Sequence, residues 1–341
     1  MGKKGWVLGG GAYITAGKTQ YALSLINLDV DIPQAERIAL PFLGHGLAFD
    51  PRDPQRVVVF EKKGPGACVV DLRRRQIQAP LATQKTRHFY GHGAFSGDGS
   101  LLYATESLLD QDRQGVLVVR DAQTLRELGS LPTYGTAPHD CTILDEGRTM
   151  VVANGGGAAG ESDPCVTYID LKTEALLERV PITSTRFNAG HVAMSRRGDL
   201  AIVSAPREGL SPQDLGAVAI RPAGRQAVTV NKPQHAVRRM VGETLSVCID
   251  EARGLVLATH PLGDCVSIWD LDTTTLVALH ETYNPRGIAL SLDASWYLVS
   301  HATEDSVCIT ALSTESRQPV GPPIDPSFTS GSHLFVHDLA A

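Results

Sequence analysis

The chain has 341 residues, a formal net charge of −6, 43% hydrophobic residues and 20% charged residues. This length can bury a large core, and the composition is typical of a globular protein rather than a disordered chain. No apolar run approaches the ~18 residues of a membrane span. Basic residues are scattered apart from "LRRRQ" at 72–76, so we expect neither a membrane span nor binding to nucleic acid.

Strand-like segments follow one another along the whole chain. The first three are "WVLGGG", "YALSLINL" and "ERIALP". Related strand starts then recur about every 47 residues, at "GHGLAFD" (44), "GHGAFSG" (91), "PHDCTIL" (138), "GHVAMSR" (190), "TLSVCID" (244), "RGIALSL" (286) and "SHLFVHD" (332). Each of the first six starts precedes a polar turn and a β-rich run such as "LLYATE". Third and fourth strands follow, so each unit is predicted to be a four-stranded antiparallel meander.

Seven such units predict an all-β fold, a seven-bladed β-propeller that occupies residues 1–341 as a single domain. A four-stranded sheet with two apolar faces must stack on copies of itself, and radial stacking around a channel achieves this. The first three segments are predicted to be the second to fourth strands of a blade. Its first strand is then "SHLFVHDL", so the C-terminal strand closes the ring by pairing with the N-terminal blade.

Histidines recur at one position of the repeat. In a propeller the first strand of each blade lines the channel and the second runs antiparallel to it, so first-strand starts and second-strand ends meet at one mouth. First-strand starts carry histidine in five units: His45, His92, His139, His191 and His333. At second-strand ends, Glu106 and His301 are predicted to reach the same mouth, and His88 is placed on a loop above it.

This clustering predicts a transition-metal site, because neutral imidazole suits copper, iron, zinc and nickel. Three or four ligands are expected, first His92, His139 and His191 on consecutive blades and then His45. Glu106 and His301 are weaker candidates that would complete or orient the ligand set. The alternative is that duplication copied a structural histidine that bonds the backbone of a neighbouring blade.

Three segments also resemble a known family: "RHFYGHGAFSGDGSLLYATE", "PHDCTILDEGRTMVVANGG" and "GHVAMSRRGDLAI". They are similar to the bacterial propeller family catalogued as domain of unknown function 1513, from about residue 5 to the C-terminus. Its motif histidines correspond to His45, His88, His92 and His139. The usual "PHE" of the family is "PHD" here and "RHLA" is "GHVA", which leaves the role of Asp140 open.

The resemblance implies a location and a biological role. Members of the family look like proteins exported to the periplasm by the twin-arginine route, often encoded near imelysin-like iron-uptake proteins and di-haem thiol oxidoreductase-like proteins. It therefore implies a periplasmic protein that takes part in acquiring a metal, iron or copper. Iron-uptake or redox proteins are the implied partners. "MGKKGW" at the start carries no signal segment, so we expect that segment to be absent from this chain.

Three functions remain open at this stage. The first is a monomeric metal-binding propeller, favoured because no general acid or nucleophile has an evident partner. The second is a metal-dependent enzyme, lactonase-like or another hydrolase, or an oxidoreductase, with Glu106 beside an open coordination position. The third is a protein-interaction scaffold with structural histidines. The six cysteines follow no metal-binding spacing, and the four at the start of strands, Cys68, Cys165, Cys265 and Cys308, are expected to be small core residues.

Overall fold

The computed structural model describes residues 2–110 and 112–339. The described residues form seven antiparallel sheets in a ring, six of four strands and one of three. Within these residues, helix is limited to α1 (Gln234–Val237) and to two 3₁₀ turns at Asp145–Gly147 and Pro261–Gly263. The prediction of an all-β, seven-bladed propeller is therefore confirmed.

The first three strands belong to the blade that closes the ring, here called the closing blade. They are β1 (Trp6–Thr15), β2 (Lys18–Asn27) and β3 (Ala35–Leu40). Six blades follow in chain order. Blade one contains β4 (Gly44–Asp50), β5 (Asp53–Glu61), β6 (Ala67–Asp71) and β7 (Gln76–Pro80). Blade two contains β8 (Arg87–Phe95), β9 (Leu101–Leu108), β10 (Gln114–Asp121) and β11 (Glu127–Thr136).

The next three blades repeat this order. Blade three contains β12 (Pro138–Leu144), β13 (Thr149–Asn154), β14 (Cys165–Asp170) and β15 (Leu176–Pro181). Blade four contains β16 (His191–Met194), β17 (Leu200–Ser204), β18 (Ala217–Arg221) and β19 (Val228–Thr229). Blade five contains β20 (Val247–Asp250), β21 (Leu255–His260), β22 (Cys265–Asp270) and β23 (Leu276–Glu281).

Blade six departs from the predicted four strands. It contains β24 (Pro285–Leu290), β25 (Trp296–Ala302) and β26 (Val307–Ser313). The segment 318–327 covers the edge of β26 through isolated bridges such as Ile309–Ile324. Four prolines in "QPVGPPIDPS" lack the N–H that a ladder needs, so this edge does not become a regular fourth strand.

The closing blade joins the two ends of the chain. Strand β27 (Phe335–His337) pairs antiparallel with β1, and Trp6 lies opposite His337 while Leu8 lies opposite Phe335. The prediction of ring closure by the C-terminal strand agrees with this pairing. Each blade carries its first strand on the inside, in the order β27-β1-β2-β3 for the closing blade and β4-β5-β6-β7 for blade one.

The core is divided among the gaps between blades. Seven apolar clusters each join two consecutive blades, including one between blade six and the closing blade. In β5, Val57 and Val59 pack towards the closing blade, whereas Val58 and Phe60 pack towards blade two. Strand side chains alternate between faces, so a continuous apolar run is what a strand buried on both sides requires.

In residues 2–110 and 112–339, no helix has the length and apolar character needed to cross a membrane.

Candidate metal centre

Four inner strands bring one histidine each to the axis of the ring. His45 lies in β4, His92 in β8, His139 in β12 and His191 in β16, and all four are buried. One ring nitrogen from each lies within 4.8 Å of the others, a spacing that could hold a metal ion. The positions fall on consecutive blades because the repeat places each histidine at the same level of its first strand.

Three ring nitrogens form a tight triangle. The Nε2 atoms of His139 and His191 are 2.8 Å apart, and each is 3.3 Å from Nε2 of His45. With metal–nitrogen bonds of about 2.1 Å, two donors are about 3.0 Å apart at a right angle and about 3.4 Å apart at the tetrahedral angle. The triangle therefore has the size of one face of a metal coordination sphere.

Backbone carbonyls set the tautomer of two of these rings. Nδ1–H of His139 donates to the carbonyl oxygen of Tyr90 at 3.1 Å, and Nδ1–H of His191 donates to that of Leu245 at 2.6 Å. A carbonyl can only accept, so Nδ1 carries the proton in both rings. In the neutral ring Nε2 then presents a lone pair. Metal-binding histidines are oriented in this way.

A carboxylate orients the ring of His92. Nδ1 of His92 lies 3.1 Å from Oδ1 of Asp140, and Oδ2 of Asp140 accepts the Val192 backbone N–H at 2.9 Å. Nε2 of His92 is buried and has no hydrogen-bond partner among the described residues. Asp140 thus connects blades two, three and four and leaves His92 with a free lone pair. The sequence left the role of Asp140 open, and in the structure Asp140 contacts His92.

Two lone pairs that face each other at 2.8 Å repel unless a cation lies between or beside them. Burial, with added repulsion from neighbouring positive charges, holds the pKa values of His45, His139 and His191 well below the ordinary range, and burial lowers the pKa of His92 as well. A proton is therefore a poor occupant of this space at neutral pH. A metal ion satisfies the same nitrogens without that cost.

His333 lies against the four-histidine group without belonging to it. Its ring centroid is 4.1 Å from that of His191 and 4.8 Å from that of His45, in edge-to-face contacts. Its Nε2 is buried, and no residue in the described part of the chain forms a hydrogen bond with it. Loop residues ahead of β27 place it there, so the closing blade adds a fifth imidazole to the axis.

The structure does not bring Glu106 to the histidines. Its oxygens contact Arg120 at 2.6 Å, Arg87 at 3.1 Å and the hydroxyl of Thr83 at 2.6 Å. The side chain lies in β9, one strand further from the axis than the histidine strand β8. Neighbouring strands are about 4.8 Å apart. A residue of β9 at the same height along the axis as His92 therefore lies farther from the axis.

His301 is separated from the histidine group for the same reason. It lies in β25, and its Nε2 is 2.8 Å from Oγ1 of Thr310 and 3.2 Å from Sγ of Cys308, both on the adjacent strand. His88 also differs from expectation, because it lies within β8 opposite Ser107 rather than on a loop. The strand begins earlier than predicted, with an irregular register between Phe89 and Gly93.

Glycines allow the inner strands to approach this closely. A Cβ atom on Gly46 would overlap the carbonyl oxygen of Gly91 and lie 2.8 Å from Nδ1 of His92. Gly91 has φ +128°, and a Cβ there would lie 2.7 Å from Cδ2 of His45. "GHG" at 44–46 and at 91–93 therefore combines a ligand with the room it needs.

Cavities lie on both sides of the histidine group. One, of about 140 Å³, is lined by His139 and His191 together with polar residues that include Lys62 and Arg113. The other, of about 470 Å³, is lined by His92, His191 and His333 and by apolar side chains such as Phe95. Each cavity is thus lined by histidines of the group.

Some of the groups that surround the histidines could be anticipated from the sequence, and others could not. Asp140 directly follows a motif histidine, so its proximity to the site was visible although its partner was not. The carbonyls of Tyr90 and Leu245 carry no side-chain signal. Lys62 follows the last residue of β5 and was not singled out, although the end of that strand was expected near the mouth.

Comparisons with known proteins support the fold and the family. A family model described as "Protein of unknown function (DUF1513)" matches residues 38–325. No curated protein matches the chain. Among solved structures, Kuenenia stuttgartiensis hydrazine synthase is similar with a TM-score of 0.63 and 15% identity, over 86% of this chain and 92% of that one. At that identity the similarity shows the fold alone.

Proposed function

The chain belongs to the DUF1513 family, and we propose that it is a metal-binding propeller that captures, holds or passes on copper or iron through its axial histidines. The observation that carries the proposal is the 2.8 Å contact between the Nε2 atoms of His139 and His191, whose Nδ1 atoms are both bonded to carbonyl oxygens. A scaffold with structural histidines would instead satisfy these nitrogens by hydrogen bonds.

The ligand chemistry favours copper and iron over hard cations. All four donors are imidazoles, which bind copper, iron, zinc and nickel, whereas magnesium and calcium prefer oxygen. Among divalent ions at nitrogen sites, Cu²⁺ binds most tightly. We therefore expect Cu²⁺ to bind most tightly in vitro, with availability in the cell deciding which metal is carried.

The proposal includes a periplasmic location and partners among iron-uptake or redox proteins, as the family resemblance implies. The cysteines are consistent with export in the folded state: all six are free thiols, and five of them are buried. Cell fractionation of a strain that makes the full natural precursor tests the location. Recovery in the cytoplasm alone would reject that part of the proposal without affecting metal binding.

The alternative of a metal-dependent enzyme relied on Glu106 beside an open coordination position, and Glu106 is engaged elsewhere. Both oxygens of Glu106 are engaged, by Arg120 on one side and by Arg87 and Thr83 on the other. Asp140 is likewise engaged with His92 and Val192. Holding a metal requires neither residue to act as a base, so binding is the better supported function.

The test is metal affinity with variants inside and outside the histidine group. His92→Ala and His139→Ala should each weaken Cu²⁺ binding more than about 100-fold, since loss of a residue that merely orients a ligand already costs 10–100-fold. His301→Ala is the matched control and should bind like the wild type. The measurement is competition titration with a chelator, together with the metal content of protein purified from cells given copper or iron.

Equal metal content in the wild type and in His139→Ala would reject the axial site. Loss of metal in His301→Ala with retention in His92→Ala would place the site in blade six instead. Circular dichroism of each variant shows whether it remains folded.

A further inference from the structure

The smaller cavity beside the histidine group has an unusual charge. It is lined by His139 and His191, which are buried and form its inner end, and by Lys62, Lys63 and Arg113, which are exposed or half-buried. The inner end thus offers two metal-ligating rings, and the walls offer cationic groups. A small molecule in this cavity would touch both.

The cationic groups are only partly neutralised. Arg113 is paired with Glu208 at 2.7 Å, but Nζ of Lys62 is 3.9 Å from Glu243, which is long for an ion pair. Lys63 forms no ion pair within residues 2–110 and 112–339, and its ammonium lies 5.6 Å from the ring centre of Tyr90. The cavity therefore keeps an excess of positive charge.

Another cation belongs to blade six. Arg286 lies in β24, the inner strand of that blade, and within residues 2–110 and 112–339 its buried Nε has no hydrogen-bond partner. Lys62 lines the same cavity as His139 and His191.

A metal ion at this site would retain its charge. The four imidazoles are neutral donors, so a divalent ion would keep two positive charges in a buried position, with Lys62 on the wall of the adjoining cavity. An uncompensated buried charge is strongly unfavourable. The carboxylate of Asp140 offsets one charge on the far side of His92, which leaves a positive balance towards the smaller cavity.

Resting on the proposed metal site, we infer that this cavity binds a small carboxylate or other oxyanion as a further ligand of the metal. One oxygen coordinates the metal beside His139 and His191, and another accepts a charge-assisted hydrogen bond from Lys62. The larger cavity on the other side is lined mainly by apolar residues and by Asp140, so it does not compete for an anion.

The experiment uses Cu²⁺-loaded full-length protein titrated with formate, followed by the change in the copper absorption and electron paramagnetic resonance spectra. Lys62→Met removes the charge with little change in volume, and formate should bind about tenfold more weakly. Lys62→Arg keeps the charge and should retain most of the affinity. Lys172→Met, on an exposed turn between β14 and β15, is the matched control and should behave like the wild type.

The outcomes separate this inference from the proposed function. Copper content is measured before formate is added, and absence of copper would overturn both. Copper binding with equal formate affinity in the wild type and Lys62→Met would overturn the anion site alone. Isothermal titration calorimetry measures formate binding to metal-free protein, and equally tight binding there would also overturn it, because the anion would then not be a metal ligand.

Discussion

At the residue scale, the axial histidines depend on partners that come from other blades. His139 is oriented by Tyr90 of blade two, and His191 is oriented by Leu245, which precedes β20 of blade five. Asp140 of blade three orients His92 of blade two. Three of the four ligands are therefore oriented by a residue of a neighbouring blade, which makes the site sensitive to how the blades are packed.

Asp140 provides a test of this orientation. Asp140→Ala should weaken Cu²⁺ binding by about 10–100-fold, because His92 loses the acceptor that fixes its tautomer and the Val192 N–H loses its partner. Chelator competition measures the affinity. Asp98→Ala, in the exposed turn before β9, is the control and should leave the affinity unchanged.

An affinity unchanged by Asp140→Ala would show that His92 is not a ligand or that it needs no orienting group. Electron spin-echo spectroscopy of the bound copper would then show whether the number of coordinated imidazoles has changed.

The sequence predicted the height of each candidate ligand along the channel axis, but not its distance from that axis. The repeat register places His45, His92, His139 and His191 at equivalent positions, and the structure brings them together. The same reasoning placed Glu106 and His301 at this level, yet their side chains contact residues within their own blades. A one-dimensional repeat specifies height, whereas distance from the axis depends on which strand of the blade carries the residue.

At the element scale, the inner strands converge as they approach the axis. Gly46 of β4 and Gly91 of β8 face each other so closely that a side chain on either would collide with a histidine or with backbone. Thr105 of β9 supports the irregular part of β8, because its hydroxyl donates to the carbonyl of His92 at 3.0 Å. Strand geometry and ligand position are thus determined together.

Gly46→Ala tests this convergence. The new methyl group would overlap the Gly91 carbonyl and press on Nδ1 of His92, so we expect a loss of about 1–3 kcal/mol in the free energy of unfolding, together with weaker metal binding. Urea unfolding measures the first effect and chelator competition the second. Gly129→Ala in β11 is the matched control, because nothing lies within 4 Å of its Cβ position.

Gly129→Ala should leave stability unchanged or slightly raise it, since alanine reduces the freedom of the unfolded chain. If Gly46→Ala were as stable as this control and bound metal normally, the close approach of β4 and β8 would not be needed for the site.

The blades were predictable because β-rich runs and polar turns repeat along the chain. The exception is the edge of blade six, where segment 318–327 carries Pro319, Pro322, Pro323 and Pro326. Counting backbone donors in this segment would have excluded a regular strand. The early start of β8 was missed because its irregular register leaves no simple alternation between Phe89 and Gly93.

At the scale of the whole molecule, the curvature of the ring brings ligands from four blades together at one axis. His45 lies in blade one and His191 in blade four, yet their rings are in contact. His333, from the loop before β27, also contacts His45. Ring closure depends on the short pairing of β27 with β1 and on the apolar cluster between blade six and the closing blade.

A chain that ends at Leu334 tests the closure. It keeps His333 but loses β27 and the buried side chain of Leu339, together with the partly buried Phe335 and Val336. We expect the free energy of unfolding to fall by about 3–5 kcal/mol, from lost burial of these side chains. Urea unfolding of both chains, with metal-free protein, is the measurement.

If the shortened chain were as stable as the full chain, the β27–β1 pairing would contribute nothing to closure. Limited proteolysis provides an independent check, because an open ring should be cut first in β1, which would become an edge strand.

Anomalous diffraction from crystals of the Cu²⁺-loaded protein, collected at the copper absorption edge, tests the central claim most directly. The account predicts one dominant peak on the channel axis, about 2 Å from Nε2 of His45, His139 and His191. A dominant peak elsewhere, or an axis without a peak in protein that is shown to contain copper, would contradict it.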